Sequence, residues 1–174
     1  MDISKSYLNV VGAGCLFVNG LIFVVYAVSV PTFVRGIHWL ITLAAVLFIL
    51  AQPAIYHYLG GVDKNAAKSV TVLFGVGMGL IVTSDLLFVS SSIPRLTHDL
   101  LYAFGNALFI ICLFAFGVLG LKGGLPKWLA VLSLVTGIIG LLTYVPGTFL
   151  LLMPSLLLVG VWSFGMGFVV RRTK

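Results

Sequence analysis

The chain has 174 residues, of which 61% are hydrophobic and 8% are charged, and its formal net charge is +6 at pH 7. Soluble domains carry about a quarter charged residues, so this composition excludes a water-soluble globular protein and indicates one embedded in lipid. The basic residues lie between apolar stretches, where they meet lipid headgroups, and we therefore exclude nucleic acid as a partner.

The sequence predicts an all-α fold, a six-helix transmembrane bundle that forms a single integral membrane domain over residues 1–174. A helix of about 20 apolar residues crosses the ~30 Å hydrocarbon core and satisfies its own backbone hydrogen bonds there. The spans are predicted at about 7–30, 37–59, 68–90, 100–121, 128–145 and 149–170.

The first three spans carry distinct local signals. The first is longer than the apolar core of a signal peptide, which has about 7–15 residues, so we predict that it is retained as a membrane span. The second contains Gln52-Pro53, where the proline removes a backbone donor and bends the helix. In the third, Gly75, Gly79 and Thr83 share one face, which predicts that the other helices pack around this helix.

The last three spans are separated by short turns. Thr97 is predicted to cap the start of the fourth span, with Asp99 in its first turn. Glycine and proline then mark turns at residues 122–127 and 146–148.

An even number of spans places both ends of the chain on one side of the membrane. That side receives eight basic residues, and the other receives only Arg35 and Arg95. The eight are Lys5, Lys64, Lys68, Lys122, Lys127, Arg171, Arg172 and Lys174. Because basic loops stay in the cytoplasm, both termini are predicted to be cytoplasmic.

The last third of the chain contains a recognisable pattern between Phe116 and Ile138. After a glycine-containing turn, the fifth span opens with Leu125-Pro126-Lys127-Trp128-Leu129-Ala130. The final span continues through Val161-Trp162 to basic residues. This pattern resembles a broad family of uncharacterised bacterial and archaeal six-helix integral membrane proteins, in which Leu-Pro-(Arg/Lys)-x-Leu-Gly opens the fifth helix.

The resemblance implies the six-helix fold and a place in the cell (cytoplasmic) membrane of a prokaryote. Members often carry a glutamate in the last span before the tryptophan, and this chain has only apolar residues and glycine there. Whatever role that glutamate has in the family, this chain has no residue to which the role could be assigned. The activity of the family is itself unknown, so the resemblance implies neither a reaction nor a cofactor.

Asp85 is the only carboxylate within the apolar stretches. An intramembrane acid marks a proton relay, an ion site or a ligand contact. Helical rise places Asp85 in the outer third of the membrane, level with Asn106. We predict an outward-facing pocket between the first, third and fourth helices, with ligand-binding residues Asp85, Asn106, Asn19, Tyr102 and Tyr26. The structural alternative is that Asp85 only forms a local hydrogen bond, to Asn106, Tyr102 or Ser84, and that Asn19 links two helices.

Three histidines raise the question of a metal or haem. His57 is predicted at the cytoplasmic end of the second span, whereas His38 and His98 lie at outer ends, which excludes a haem between His57 and His98. His38 and His98, with Asp85 and Asp99 nearby, leave an outer metal site as an alternative. No catalytic motif occurs, and the sequence specifies no cofactor.

These observations predict a non-enzymatic, multi-pass integral membrane protein. It binds a small or lipidic ligand, or a membrane partner, through its helix bundle. Membrane lipids are the expected partners, and association into a homo-oligomer or a membrane complex stays open. The alternative is a small oligomeric transporter or channel that uses Asp85 as a proton or ion site. An enzyme comes third, because the outer polar groups are too few to assign roles.

Overall fold

A computed structural model of the chain describes residues 3–29, 38–61 and 63–172. Its elements are α1 (Ile3–Ser29), α2 (His38–Leu59), α3 (Lys64–Val89), α4 (Arg95–Leu119), α5 (Lys127–Leu142) and α6 (Leu152–Arg172). A wide π-helical turn, Gly120–Gly124, extends α4, and a 3-10 turn, Phe149–Leu151, precedes α6. The described residues contain no strand. The predicted all-α six-helix bundle is confirmed.

The surface of the bundle is that of a membrane protein. Five helices are long and apolar enough to cross a membrane, and α5, with 16 residues, is shorter. Large apolar side chains such as Leu21, Val72, Phe104 and Phe168 are exposed on the outside of the bundle. A soluble monomer rarely exposes so much apolar surface, whereas hydrocarbon solvates it.

The six helices form a closed ring in chain order. Each helix packs against the next, and α6 packs extensively against α1. Gly160 lies beside Gly20 and Gly167 lies beside Ala13, so α1 and α6 run antiparallel. The start of α1 and the end of α6 therefore share one end of the bundle, which we call the terminal end. The opposite end, with the α3–α4 and α5–α6 turns, is the far end. That the terminal end faces the cytoplasm stays a prediction.

An aromatic cluster fills the space enclosed by the six helices. Phe48 of α2 contacts Phe74 of α3 and Phe109 of α4, with ring centroids 5.3 Å apart in each pair. Its centroid also lies 6.2 Å from that of Trp162 on α6, and Trp162 in turn stacks with Phe116 at 6.0 Å. These rings are buried. They occupy the place that a pore through a single chain would need.

The prediction that the bundle packs around the Gly75, Gly79 and Thr83 face of the third helix is wrong for Gly79 and Thr83. Gly75 does pack closely, since an added Cβ would lie 2.9 Å from the side chain of Gln52 on α2. A Cβ added at Gly79 would meet nothing within 4 Å, and Thr83 is exposed. The buried face of α3 instead includes Gly77, where an added Cβ would lie 2.8 Å from the carbonyl oxygen of Gly105 on α4. Gly75 faces α2 and Gly77 faces α4, whereas the rotation of α3 turns Gly79 away from both neighbours.

The starts of α3 and α4 also differ from expectation. Thr97 is not an N-cap and Asp99 lies beyond the first turn, because α4 begins at Arg95, directly after a proline. The start of α3 has the side-chain cap that was expected for α4. There, the carboxylate of Asp63 accepts a hydrogen bond from the backbone N–H of Ala66 at 3.0 Å.

We expect Gly77→Ala to lower the thermal stability of the protein in detergent, because the added methyl group would force α3 and α4 apart. Overpacking of this kind costs about 1–3 kcal/mol. Gly79→Ala is the matched control. It should leave the melting temperature unchanged or raise it slightly, since alanine favours a helix over glycine by up to about 1 kcal/mol. Equal losses in the two variants would contradict this packing of α3.

Candidate functional site

Two cavities lie in the far half of the bundle. The larger, of about 570 Å³, lies between the far ends of α2, α3 and α4. It is lined by Trp39, Thr42, Asp85, Phe88, Val89, Arg95, His98 and Asp99, and we call it the Asp85 cavity. The smaller, of about 140 Å³, lies deeper between the helices; Tyr26, Tyr102 and Asn106 are among its lining residues, and we call it the Asn106 cavity.

Asp85 lies about one turn before the end of α3 and receives partners from both neighbouring helices. The hydroxyl of Thr42 on α2 donates a hydrogen bond to Oδ2 of Asp85. The Nε2 atom of His98 on α4 lies 2.9 Å from Oδ1. The side chain of Asp85 is 13% exposed and that of His98 is 18% exposed. Both carboxylate oxygens are thus engaged, while the group remains on the cavity wall.

His98 lies between two carboxylates. Its Nδ1 atom is 2.9 Å from Oδ1 of Asp99, whose other oxygen lies 3.7 Å from Nε of Arg95. A neutral imidazole donates from only one ring nitrogen, whereas an imidazolium donates from both. Two acceptors on opposite sides of the ring therefore favour an additional proton, held by His98 or by one of the carboxylates.

Aromatic side chains surround this polar chain. The ring of Phe88 lies 4.6 Å from the His98 ring, centroid to centroid, and the ring of Tyr102 lies 5.8 Å from it. Trp39 adds a further ring to the cavity wall and is about half exposed. Aromatic faces attract cations, so these walls and the carboxylates favour the same kind of ligand.

The charge of the Asp85 cavity depends on the protonation of His98. With a neutral imidazole, the carboxylates of Asp85 and Asp99 face a single guanidinium, that of Arg95, and one negative charge is left uncompensated. A proton on His98 cancels it. Histidine is the side chain whose charge ordinarily changes between about pH 5 and 8. The cavity can therefore change by one charge over the physiological range.

The five residues predicted as a site lie in three places. Asp85 lines the larger cavity, and Tyr26, Tyr102 and Asn106 line the smaller one. The ring of Tyr102 lies 5.8 Å from that of His98, centroid to centroid, so the two cavities are neighbours. Asn19 lines neither of them. The Asn106 cavity does lie between the first, third and fourth helices, where the pocket was predicted, and α2 and α6 complete its wall. Asp85 is the exception, because it lines a separate cavity between α2, α3 and α4.

Asn19 links α1 to α2. Its side chain is fully buried, and its Nδ2 atom donates a hydrogen bond to the backbone carbonyl of Ala44 at 3.0 Å. Its Oδ1 atom has no partner among the described residues. This placement agrees with the structural alternative, in which Asn19 holds two helices together.

Tyr144 ties the turn between α5 and α6 to α4. The hydroxyl of Tyr144, which follows α5, donates to the backbone carbonyl of Ala103 at 3.2 Å. The turn is thereby tied to α4 beside the Asn106 cavity.

Sequence reasoning paired Asp85 with Asn106 because it started the fourth span at residue 100. In the structure α4 begins at Arg95. Counted from the α3–α4 turn, Asp85 lies about 6 Å from the end of α3 and His98 about 4.5 Å into α4, whereas Asn106 lies about 16 Å into it. The metal alternative had placed His98 near Asp85 and Asp99, and the structure confirms that these three residues lie together. Thr42 gave no signal, because one threonine in an apolar helix is unremarkable until a neighbouring helix approaches it.

The metal alternative involves residues only partly within the described structure. Among the described residues, no group of three or more His, Cys, Asp or Glu side chains is placed to hold a metal ion. The side chain of His38 lies outside the described residues. Cys15 and Cys112 are both free thiols.

Asn19→Ala should lower the melting temperature in detergent, because it removes the bond to Ala44 and leaves a void between α1 and α2. We expect a loss of about 1–3 kcal/mol. Asn106→Ala removes the same side chain at a half-buried position beside an existing cavity, and its effect should be smaller. A larger loss for Asn106→Ala would contradict the assignment of Asn19 as the structural asparagine.

Comparisons of the chain with protein-family models, curated proteins and solved structures found no match. The resemblance to six-helix prokaryotic membrane proteins therefore stays a prediction, and a function is argued from the site itself.

Proposed function

We propose that the protein is a non-enzymatic, multi-pass protein of a prokaryotic cell membrane that binds a small organic cation in the Asp85 cavity. The observation that carries this proposal is the carboxylate of Asp85 on the wall of a 570 Å³ cavity, beside a second carboxylate and aromatic rings. Cavities of about 300–1,000 Å³ with a few polar groups in an apolar wall are typical of small-molecule sites.

The chemistry of the wall selects for positive charge. Asp85 and Asp99 supply two carboxylates against the guanidinium of Arg95, and Trp39 and Phe88 supply aromatic faces. A cation on an aromatic face gains about 0.5–2 kcal/mol, and a carboxylate in a partly buried site adds to this attraction. An anion would meet only one permanent cation there. An organic cation with some apolar surface therefore fits best.

A proton on His98 competes with such a ligand. When His98 is protonated, the cavity is electrically neutral and a bound cation adds an uncompensated positive charge. When His98 is neutral, the cavity carries one negative charge, and the same cation cancels it. Ligand affinity is therefore expected to rise with pH as His98 loses its proton.

Benzyltrimethylammonium is a suitable probe, because a quaternary ammonium has no proton of its own to titrate. Its affinity for the purified protein, measured by isothermal titration calorimetry, should rise at least about tenfold between pH 5 and 9, since linkage to one proton allows up to tenfold per pH unit. The window extends to pH 9 because the two carboxylates that flank His98 favour retention of its proton. His98→Gln should bind the probe with little dependence on pH. Asp85→Asn should lose most of the affinity.

Asp63→Asn is the matched control for this experiment. It makes the same change of charge at the terminal end, outside the Asp85 cavity, and asparagine also caps helices. Binding that survives in Asp85→Asn, or that falls equally in Asp63→Asn, would refute the cation site.

A small oligomeric transporter is the second candidate, because one observation favours it. Asp99, His98 and Asp85 form a continuous polar chain from an exposed carboxylate, 58% accessible, to one that is mostly buried. Such a chain can carry a proton into the bundle. The aromatic cluster around Phe48 argues against a transporter, because it fills the space enclosed by the six helices.

Flux measurements separate the two candidates. In proteoliposomes, uptake of the same quaternary cation driven by a pH gradient and abolished by Asp85→Asn would favour the transporter. Saturable binding without uptake would favour the binding protein. Asp63→Asn again serves as the control for a general effect of charge.

A further inference from the structure

Apart from the two cavities, a groove lies at the terminal end, on the outside of the bundle between α2 and α3. Its volume is about 430 Å³. It is lined by Ile49, Gln52, Pro53, Tyr56, Lys64, Lys68, Thr71 and Val72, and we call it the lysine groove. None of these residues belongs to the Asp85 cavity, so a ligand bound in the lysine groove is independent of the proposed function.

The groove has a positively charged mouth. Lys64 and Lys68 are one turn apart at the start of α3, and both are exposed. Neither forms an ion pair within the part of the chain that the structure describes. The adjacent carboxylate of Asp63 is engaged in capping α3 through the N–H of Ala66. Two ammonium groups are therefore available to an anion at this mouth.

Deeper in the bundle the groove becomes apolar. On α3, Val72 lies about 12 Å along the helix axis from Lys64, and on α2 the lining passes from Tyr56 through Pro53 to Ile49. Val72, Pro53 and Ile49 are exposed on the outside of the bundle, where a membrane protein meets lipid. Along the helix axes, the wall of the groove thus changes from charged to apolar. A phospholipid changes in the same order, from its charged headgroup to its apolar acyl chains.

Polar groups without partners lie between the two zones. Thr71 is 8% exposed, and its hydroxyl has no hydrogen-bond partner among the described residues. Pro53 has no N–H to donate to the carbonyl of Ile49, one turn earlier in α2. Gln52 is already engaged, since its amide can accept from the N–H of Gly75 at 2.9 Å and donate to the carbonyl of Thr71 at 3.2 Å. The hydroxyl of Thr71 can donate to an ester oxygen of a lipid, whereas the carbonyl of Ile49 can only accept a hydrogen bond.

We propose that the lysine groove binds an anionic phospholipid. Its phosphate lies between Lys64 and Lys68, and an acyl chain follows the apolar wall formed by Ile49, Pro53 and Val72. Charge complementarity at the mouth selects an anionic headgroup, and the depth of the apolar wall selects a lipid over free phosphate.

The test uses delipidated, purified protein, to which phosphatidylglycerol or phosphatidylcholine is added before native mass spectrometry. Phosphatidylglycerol should be retained in preference to phosphatidylcholine. The double variant Lys64→Gln and Lys68→Gln should reduce retention by roughly fivefold per lysine. The matched control is Lys122→Gln with Lys127→Gln, which removes two exposed charges at the same end but outside the groove. It should retain phosphatidylglycerol as the original protein does.

Two further arms distinguish a lipid site from a site for free phosphate and from a general effect of charge. Inorganic phosphate in large excess should not displace phosphatidylglycerol, and Val72→Ser should weaken lipid retention although it changes no charge. Displacement by phosphate, or equal losses in the two double variants, would overturn the proposal. Thermal melting of each variant without lipid checks that it is folded.

Discussion

The contacts of Phe48 hold this bundle together. In hydrocarbon, apolar side chains gain nothing by leaving the surrounding solvent, so helices associate through close packing and interhelical hydrogen bonds. Phe48 projects from α2 onto rings of α3, α4 and α6 and also lies 5.9 Å from Phe23 of α1, centroid to centroid. One residue thereby connects five of the six helices. The small residues Gly20, Gly77 and Gly105 let backbones approach around this centre.

The aromatic centre separates two cavities that lie at opposite ends of the bundle. The Asp85 cavity lies at the far end and the lysine groove at the terminal end, with the Phe48 cluster between them. The two sites also differ in charge, since one combines carboxylates with a histidine and the other presents two lysines. The two proposed sites therefore lie at opposite ends of the bundle, with the Phe48 cluster between them.

The turn between α3 and α4 creates the most unusual chemistry in the protein. A short connection brings the end of α3 beside the start of α4, which places Asp85 against His98. Thr42 then reaches the same carboxylate from α2. An acid in this position is costly in a membrane unless donors satisfy it, and here both of its oxygens are satisfied beside a cavity. The carboxylate of Asp85 therefore has hydrogen-bond partners and still lies on the wall of the Asp85 cavity.

The sequence by itself determined the class of the protein, the number of its helices and their approximate bounds. The second span, predicted at residues 37–59, is observed as His38–Leu59, because the apolar length needed to cross a bilayer is read directly from the chain. It also identified Asp85 as the principal intramembrane acid. The start of α4 was predicted at residue 100 and is observed at Arg95, because its first turn is polar and does not extend the apolar stretch.

Only the tertiary structure decided that Gly77 packs while Gly79 does not, and that Asp85 pairs with His98 and Thr42. These outcomes depend on the rotation of each helix about its axis, and a shift of one residue turns a helix by about 100°. In a soluble protein, the polar face would reveal that rotation. Here the lipid-facing and core-facing sides are equally apolar, so the rotation is set by the packing of neighbouring helices.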